Sequence, residues 1–377
     1  MPWQEVSIMS LRQEFVVLAS QATVNMRALC RRFGISPKTG YKWVRRFAEA
    51  GALGLLGRSR CPQHSPQRTD AAMEAQVVAV RDAHPAWGGR KIRARLQHLG
   101  HRDLPSPSTI TEILRRQGRL NPAEARKHRP WQRFEHEAPN RLWQMDFKGH
   151  FALTHGGRCH PLTVLDDHSR YAVCLQACAD QQAPTVQGAM TATFRRYGLP
   201  ASMLMDNGSP WGDDRDNPYT RLTVWLLRLG IQVRHSRPYH PQTQGKDERF
   251  HRTLAVEVLR GRPLRDIGHC QQAFDTWRLL YNGERPHESL QLATPASRYT
   301  PSPREFPEQL PALEYGPGDH VRKVQAKGEI FYQGRAFRIG KAFHGYPVAL
   351  RATGEDGVLA VYFGYHRISQ VHLRNPG

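Results

Sequence analysis

Apolar residues recur along this chain with more than one rhythm, and the rhythm changes near residue 141. In the N-terminal part, "MRALCRRFGISPKTGYKWVRRFAEAG" carries apolar side chains at helical spacing on both sides of a tight turn at Gly34. It predicts two helices, the second capped by Ser36 with Pro37 in its first turn. Ala28, Leu29, Phe33, Ile35, Trp43, Val44 and Phe47 supply an inner apolar surface, leaving Lys38, Thr39, Lys42, Arg45 and Arg46 outside. That is a helix-turn-helix layout over residues 10–57, with the second helix as the groove reader. A helical hairpin with a merely solvated basic face is the alternative. Residues 58–68 read as a linker. A second helical module follows at 69–119, where Arg90, Lys91, Arg93 and Arg95 crowd one short stretch and Ser108 is expected to cap the last helix. Residues 120–140, rich in Pro, Arg, His and Lys, read as another linker.

Beyond residue 141, β-branched and apolar runs alternate with helical spacing. "LWQMDFKGHFAL", "HPLTVLDDHSRYAVCLQA", "ASMLMDNG" and "IQVRHS" read as strands. "PTVQGAMTATFRRYG", residues 219–229 and the stretch opened by "HPQTQGKDERFH" read as helices. The order β-β-β-α-β-α-β-α predicts a mixed α/β layer over 141–300, with helices packed against the sheet. "YNGERPHESLQLATPASRY" and a Pro-rich linker, 301–315, lead out of it. Residues 316–373 then read as short strands separated by glycine turns, a small β-barrel expected to bind DNA.

Charge narrows what such a chain can meet. Lys and Arg number 54 against 33 Asp and Glu, a net +21, and residues 1–140 alone carry +13. A polyanion partner fits, because each cation that neutralises a phosphate releases a counterion. No apolar run approaches the roughly 20 residues that span a bilayer, and the N-terminus lacks the layout of a signal peptide. The six cysteines are scattered without a C-x-x-C pair, and Cys174 and Cys178 read as packed thiols. A reduced, cytoplasmic, nucleoid-associated protein is expected, without membrane contact.

Candidate chemistry lies at the edges of the predicted elements. Asp146 ends or interrupts the first strand, Asp206 follows "SMLM", and Glu248 begins the last helix of the layer. Carboxylates at neighbouring strand ends and a nearby helix terminus can meet at one point, where they would repel unless cations bind between them. Oxygen ligands suit Mg²⁺ or Mn²⁺. Two such ions about 3.5–4 Å apart activate an attacking oxygen and stabilise a leaving one in phosphodiester displacement. Asp166 and Asp167 read instead as a hairpin turn, and Asp213, Asp214 and Asp216 as a solvated loop. Between the adjacent acids Asp247 and Glu248, a helical wheel places Asp247 with Phe250, Leu254 and Val258 on the packed face. Glu248, sharing its face with Arg252 and Ala255, has the freer route to a polar site.

In order, "LWQMDFKG", "LDDHSRY", "DNGSP", "HPQTQGKDERFHRTL" and "YNGERPHESL…TPA" resemble the landmarks of bacterial insertion-sequence transposases with a retroviral-integrase-like core. The N-terminal helix-turn-helix and "HPAWGGRKIRARL" also look like that family's DNA-binding region. The resemblance implies a ribonuclease-H-like core with a mixed five-stranded sheet, flanked here by helix-turn-helix modules and an SH3-like C-terminal barrel. It implies an Asp-Asp-Glu triad holding two Mg²⁺, carried by Asp146, Asp206 and the Glu248 of the Gly-Lys-x-Glu-Arg signature, with an apolar residue usual where Asp247 stands. The implied activity is 3′-end cleavage at element termini followed by strand transfer into target DNA. This sequence departs from the family in two places. Between Asp206 and Glu248 lie 41 residues, more than is usual, and Ala255 stands where a basic residue is common. The zinc module of retroviral integrases is absent.

The expected partner is double-stranded DNA, both element terminal inverted repeats and target, bound by a homodimer or larger assembly. Lys38, Thr39, Lys42, Arg45, Arg46, Arg90, Lys91, His240, Gln244, Lys246, Arg249 and Arg252 are the expected DNA contacts. A non-catalytic regulator derived from a transposase, and a metal nuclease without strand transfer, are the competing readings.

Overall fold

The computed structural model describes residues 8–57, 68–120, 135–212, 218–236 and 245–373. It divides into two compact units, residues 1–68 and 69–377.

In the first unit, α1 (Ile8–Ala19), α2 (Met26–Arg32) and α3 (Pro37–Ala50) enclose a small core of Phe15, Val16, Leu29, Cys30, Trp43 and Leu55. Ser36 accepts a hydrogen bond from the Thr39 amide and Pro37 opens α3, as the sequence predicts. Gly34, at φ +64°, makes the tight turn. Gly40 is buried where α3 meets α1, and a Cβ there would stand 2.6 Å from Cys30 Sγ. Ala28, expected inside, is exposed, because Asn25 caps α2 and sets its phase so that Leu29 and Cys30 face inward.

The second unit begins with α4 (Ala71–Ala83), α5 (Gly89–His98) and α6 (Pro107–Arg116), packed through Val77, Trp87, Ile92, Leu96, Ile110, Ile113 and Leu114. The cap of α6 is Ser106 and not Ser108. Ser106 Oγ accepts from the Thr109 amide, and Pro107 takes the first helical position, for which its fixed φ is suited, so Ser108 lies already inside the helix.

Next come β1 (Leu142–Phe147), β2 (Phe151–Ala152), β3 (Arg158–Asp166), β4 (Ala172–Cys178), α7 (Ala183–Tyr197), β5 (Ser202–Met205), α8 (Arg221–Arg228), β6 (Gln232–His235), α9 (Gly245–Leu254) and α10 (Ile267–Gly283). The main sheet has the order β4-β3-β1-β5-β6, and the short β2 also pairs with β3. β1, β3 and β4 run antiparallel, while β5 and β6 run parallel to β1. This is the mixed sheet with helices packed against it that the sequence predicts. Strand alternation splits it into two hydrophobic faces. Trp143, Met145, Val164 and Met203 pack with α7 and α8. Leu165, Leu175 and Ala177 pack with Phe250, Leu254, Phe274 and Trp277 of α9 and α10.

α10 is absent from the sequence reading, which cuts through its last turn by taking "YNGERPH" as an exit segment. Its Asp266 cap and the stripe Ile267, Cys270, Phe274, Trp277, Tyr281 were nonetheless helical signals. Two of the three stretches read as linkers, 120–140 and 301–315, are partly bound to the core. Glu135 pairs with Arg170, and the Asn140 amide donates to Asp166. Arg304 donates to the carbonyls of Pro200, Leu229 and Gly230. Backbone laid against a folded surface needs such partners.

The C-terminal residues form an antiparallel sheet of β7 (His320–Lys323), β10 (Pro347–Ala352), β11 (Val358–Phe363) and β12 (His366–His372), in the order β12-β11-β10-β7. A separate hairpin joins β8 (Glu329–Tyr332) to β9 (Arg335–Arg338). Sheet and hairpin share one core with Val224 and Leu227 of α8.

Candidate active site

The parallel pairing of β1 with β5 matches Leu142 with Ser202 and Gln144 with Leu204. The same register carried two residues further brings Asp146 and Asp206 level at adjacent strand ends. Trp143 and Met145 face the α7–α8 core, so the alternate residues Gln144 and Asp146 face α9. Glu248, in the first turn of α9, is exposed, whereas Asp247, Phe250 and Leu254 are buried, the division the helical wheel predicts. Val258 continues the buried stripe.

The charges of the other two acids bear on Asp146. Burial, then the Asp206 carboxylate, and to a lesser extent Glu248, push Asp146 up to about 6. Burial also raises Asp206, against an opposing hydrogen bond from the Gly208 amide to Oδ1 at 3.1 Å. His235 Nδ1 donates to the Asp206 carbonyl at 2.8 Å and fixes the backbone there. Among the described residues, no three His, Cys, Asp or Glu side chains are gathered tightly enough to enclose a metal ion. The donor set is nonetheless oxygen-only, and its mutual repulsion is what a hard divalent cation would relieve.

Two residues of this site escape sequence reading. Thr163 Oγ1 donates to the Asp146 carbonyl at 3.0 Å and lies 2.8 Å from His251 Nε2. Since the hydroxyl proton is committed to Asp146, His251 must carry its proton on Nε2. Its Nδ1 lone pair then faces Asp146 Oδ2 at 3.9 Å. Burial, with Lys148 nearby, holds His251 down to about 4, so the ring is neutral near pH 7. One signal was available: His251 follows Glu248 by three residues, one helical turn.

Of the acids set aside in the sequence, Asp166, Asp167 and Asp247 are buried. Asp166 ends β3 and accepts from Ser169 N, Ser169 Oγ and Asn140 N. Buried Asp167 accepts from Gln144 Nε2 and the His136 amide and is paired with Lys246. Lys246, expected on DNA, is therefore engaged inside the protein, and burial lowers its pKa. Asp247 is 1% exposed, with no hydrogen-bond partner for either oxygen among the described residues. Burial, then Asp146 and Asp167, hold it well above the ordinary carboxylate range.

The remaining expected DNA contacts are scattered. Lys38, Lys42 and Arg45 are exposed on α3, Thr39 is half-buried beside Ser36, and Lys42 and Arg46 lie over the Trp43 ring. Arg90 is exposed, but Lys91 is turned into the protein, and burial and Arg285 lower it to about 8. Arg249 and Arg252 are exposed on α9. His240 and Gln244, like residues 213–217 in the long connection, lie outside the described residues.

Comparison with known proteins agrees with this architecture. Residues 136–241 and 229–295 match models of the integrase core domain, and 319–376 match the C-terminal domain of IS481 family transposases. Residues 12–62 match a helix-turn-helix domain and 39–114 a homeodomain-like domain. The chain is 24% identical over 258 residues to the insertion element IS407 uncharacterized 31.7 kDa protein of Burkholderia multivorans, covering 66% of this chain and 89% of that one. It is 26% identical over 259 residues to the insertion element IS476 uncharacterized 39.2 kDa protein of Xanthomonas euvesicatoria, covering 66% and 71%. Among solved structures, the simian T-cell lymphotropic virus intasome in complex with PP2A regulatory subunit B56 gamma matches at 15% identity and TM-score 0.38, covering 75% of this chain and 91% of that one. The HTLV-2 integrase catalytic core domain in complex with magnesium matches at 14% and 0.34, covering 44% and 99%. Part by part, the chain is similar to insertion-sequence transposases of the IS481 family with an integrase core.

Proposed function

We propose that this transposase cuts phosphodiester bonds at the ends of its element and joins the freed 3′-hydroxyls to target DNA, with Asp146, Asp206 and Glu248 as the catalytic metal ligands. One observation carries the reading. Parallel β1 and β5 set two carboxylates side by side beneath the helix of a third, and Asp146 responds to both others. Two Mg²⁺ ions held there, with Mn²⁺ as a substitute, would activate the attacking oxygen and stabilise the leaving oxygen. Asp146 must be ionised to serve as a ligand. Thr163 holds its backbone, and neutral His251 presents no competing positive charge. Arg249 and Arg252, exposed on the helix of Glu248, and the basic outer face of α3 are the surfaces offered to the DNA backbone. The C-terminal sheet and hairpin around one core read as an SH3-like barrel that adds a further DNA contact. Two DNA ends are joined in one reaction, so the working unit is a dimer or larger.

The test is strand transfer with labelled duplexes carrying the inverted repeats that flank the gene. Wild type with Mg²⁺ should cut and join. EDTA should abolish both steps, and Glu248→Gln should lower the rate at least about 10³-fold while leaving DNA affinity intact. Specific binding without cleavage by wild type would sink the enzymatic reading, and cleavage without joining would make the protein a nuclease.

A further inference from the structure

α9 does not end as it begins. After Leu254 the backbone widens into one π-helical turn, Ala255–Leu259, a form enriched at functional sites. Glu257 stands in that turn, its side chain 10% exposed, and both of its oxygens are occupied. Trp277 Nε1 donates to Oε2 at 2.8 Å, and Arg285 Nε donates to Oε1 at 3.2 Å. The Arg285 side chain is 9% exposed and its guanidinium lies 5.8 Å from the centre of the Tyr281 ring. A buried ion pair is a weak stabilising device, because desolvation offsets most of the attraction. What it does supply is a fixed geometry.

α10 also grips α9 closer to Glu248. The rings of Trp277 and Tyr281 lie 5.3 and 4.8 Å from that of Phe250. Glu257 follows Phe250 by seven residues, about two turns, and so continues the same flank. α10 and the segment after it therefore hold this flank at two heights, while the Lys246–Asp167 pair holds the start of the helix. Rotation about the helix axis is what these contacts prevent. A side-chain tip stands about 5–6 Å from the axis, so a turn of about 15° sweeps it through about 1.5 Å. Metal–ligand distances tolerate about 0.2 Å.

We propose that Glu257, Trp277 and Arg285 are positioning residues that set the azimuth of α9, and through it the aim of Glu248 at the divalent cation. The inference rests on the reading of Asp146, Asp206 and Glu248 as metal ligands. It gives Arg285 of the "ERPH" segment an internal task, since its side chain is too enclosed to serve the DNA backbone.

The experiment uses full-length Glu257→Gln and Trp277→Phe proteins. Mn²⁺ binding is followed by the electron paramagnetic resonance signal of free Mn²⁺, beside Mg²⁺ titrations of strand transfer, thermal melting, and affinity for a plain duplex without metal. Both variants should need about five- to tenfold more Mn²⁺ for half-saturation and regain rate at high metal, with DNA affinity within twofold of wild type. A folded Trp277→Phe protein that binds Mn²⁺ within twofold of wild type overturns the proposal. That variant loses the indole N–H and one fused ring but keeps an aromatic ring against Phe250, and thermal melting reports whether it stays folded, so it decides even if Glu257→Gln unfolds. Failure of the triad reading looks different: Glu248→Gln would then bind Mn²⁺ as wild type does.

Discussion

At the scale of single residues, two carboxylates with displaced titrations make opposite demands. Asp146 sits at about 6, so below that pH it must lose a proton to receive a cation. The half-saturating Mg²⁺ concentration for strand transfer should therefore rise roughly tenfold per unit as pH falls below about 6, and flatten above about 7. A titration series unchanged between pH 5 and 7 would refute this. Asp247 is raised too, but it has no hydrogen-bond partner among the described residues. A carboxyl raised in the folded state contributes its stability in full below the unfolded value near 4 and loses it as pH climbs through the folded value. Asp247→Leu should thus gain about 1–2 kcal/mol at pH 8 and nothing at pH 4, read from denaturant midpoints at the two pH values. The choice of Glu248 over Asp247 was legible from the helical wheel alone. The His251–Thr163–Asp146 chain was not, because Thr163 meets α9 only through the β3–β1 pairing.

Among the elements, helix ends were the most readable features, although the Asp266 cap of α10 was passed over and at α6 two serines competed. Ser106 accepts from the Thr109 amide, whereas Ser108 is inside the first turn of α6. Ser106→Ala should cost about 1 kcal/mol in urea unfolding. Ser108→Ala should stay within about 0.5 kcal/mol, and the reverse order would restore Ser108 as the cap. Lys246 teaches a different lesson. In sequence it is one basic residue in a turn-rich stretch, and only the hairpin turn after β3 places Asp167 against it. Like α10 and the second module beside it, where Arg95 pairs with Glu284, this contact joins distant parts of the chain. Local pattern carries no information about such partners.

Across the whole molecule, charge and architecture divide the work. Residues 1–68 carry 11 basic and 3 acidic side chains, +8 of the net +21, and form a unit with its own core. Removing them should leave residues 69–377 folded, with one cooperative melting transition retained. The slope of log DNA affinity against log salt should become shallower, by about 0.9 for each phosphate that the shortened protein no longer neutralises. An unchanged slope would mean that the first unit does not touch the DNA backbone.

By itself, the sequence determined what depends on near neighbours and on composition. It set the α3 cap, the two sides of α9, the alternation of the β1 strand, the basic balance, and the three acids at element ends. Those features obey periodicities of two and 3.6 residues that a chain carries before it folds. Tertiary structure alone decided which ends meet. The parallel register of β1 and β5 set Asp146 level with Asp206. Burial then displaced the pKa values of Asp146, Asp247 and His251, and α10 closed on Phe250 and Glu257. The physical reason is range. Hydrogen bonds and helix phase are written over a few residues, whereas desolvation, charge–charge repulsion and packing depend on neighbours that only the folded chain brings together.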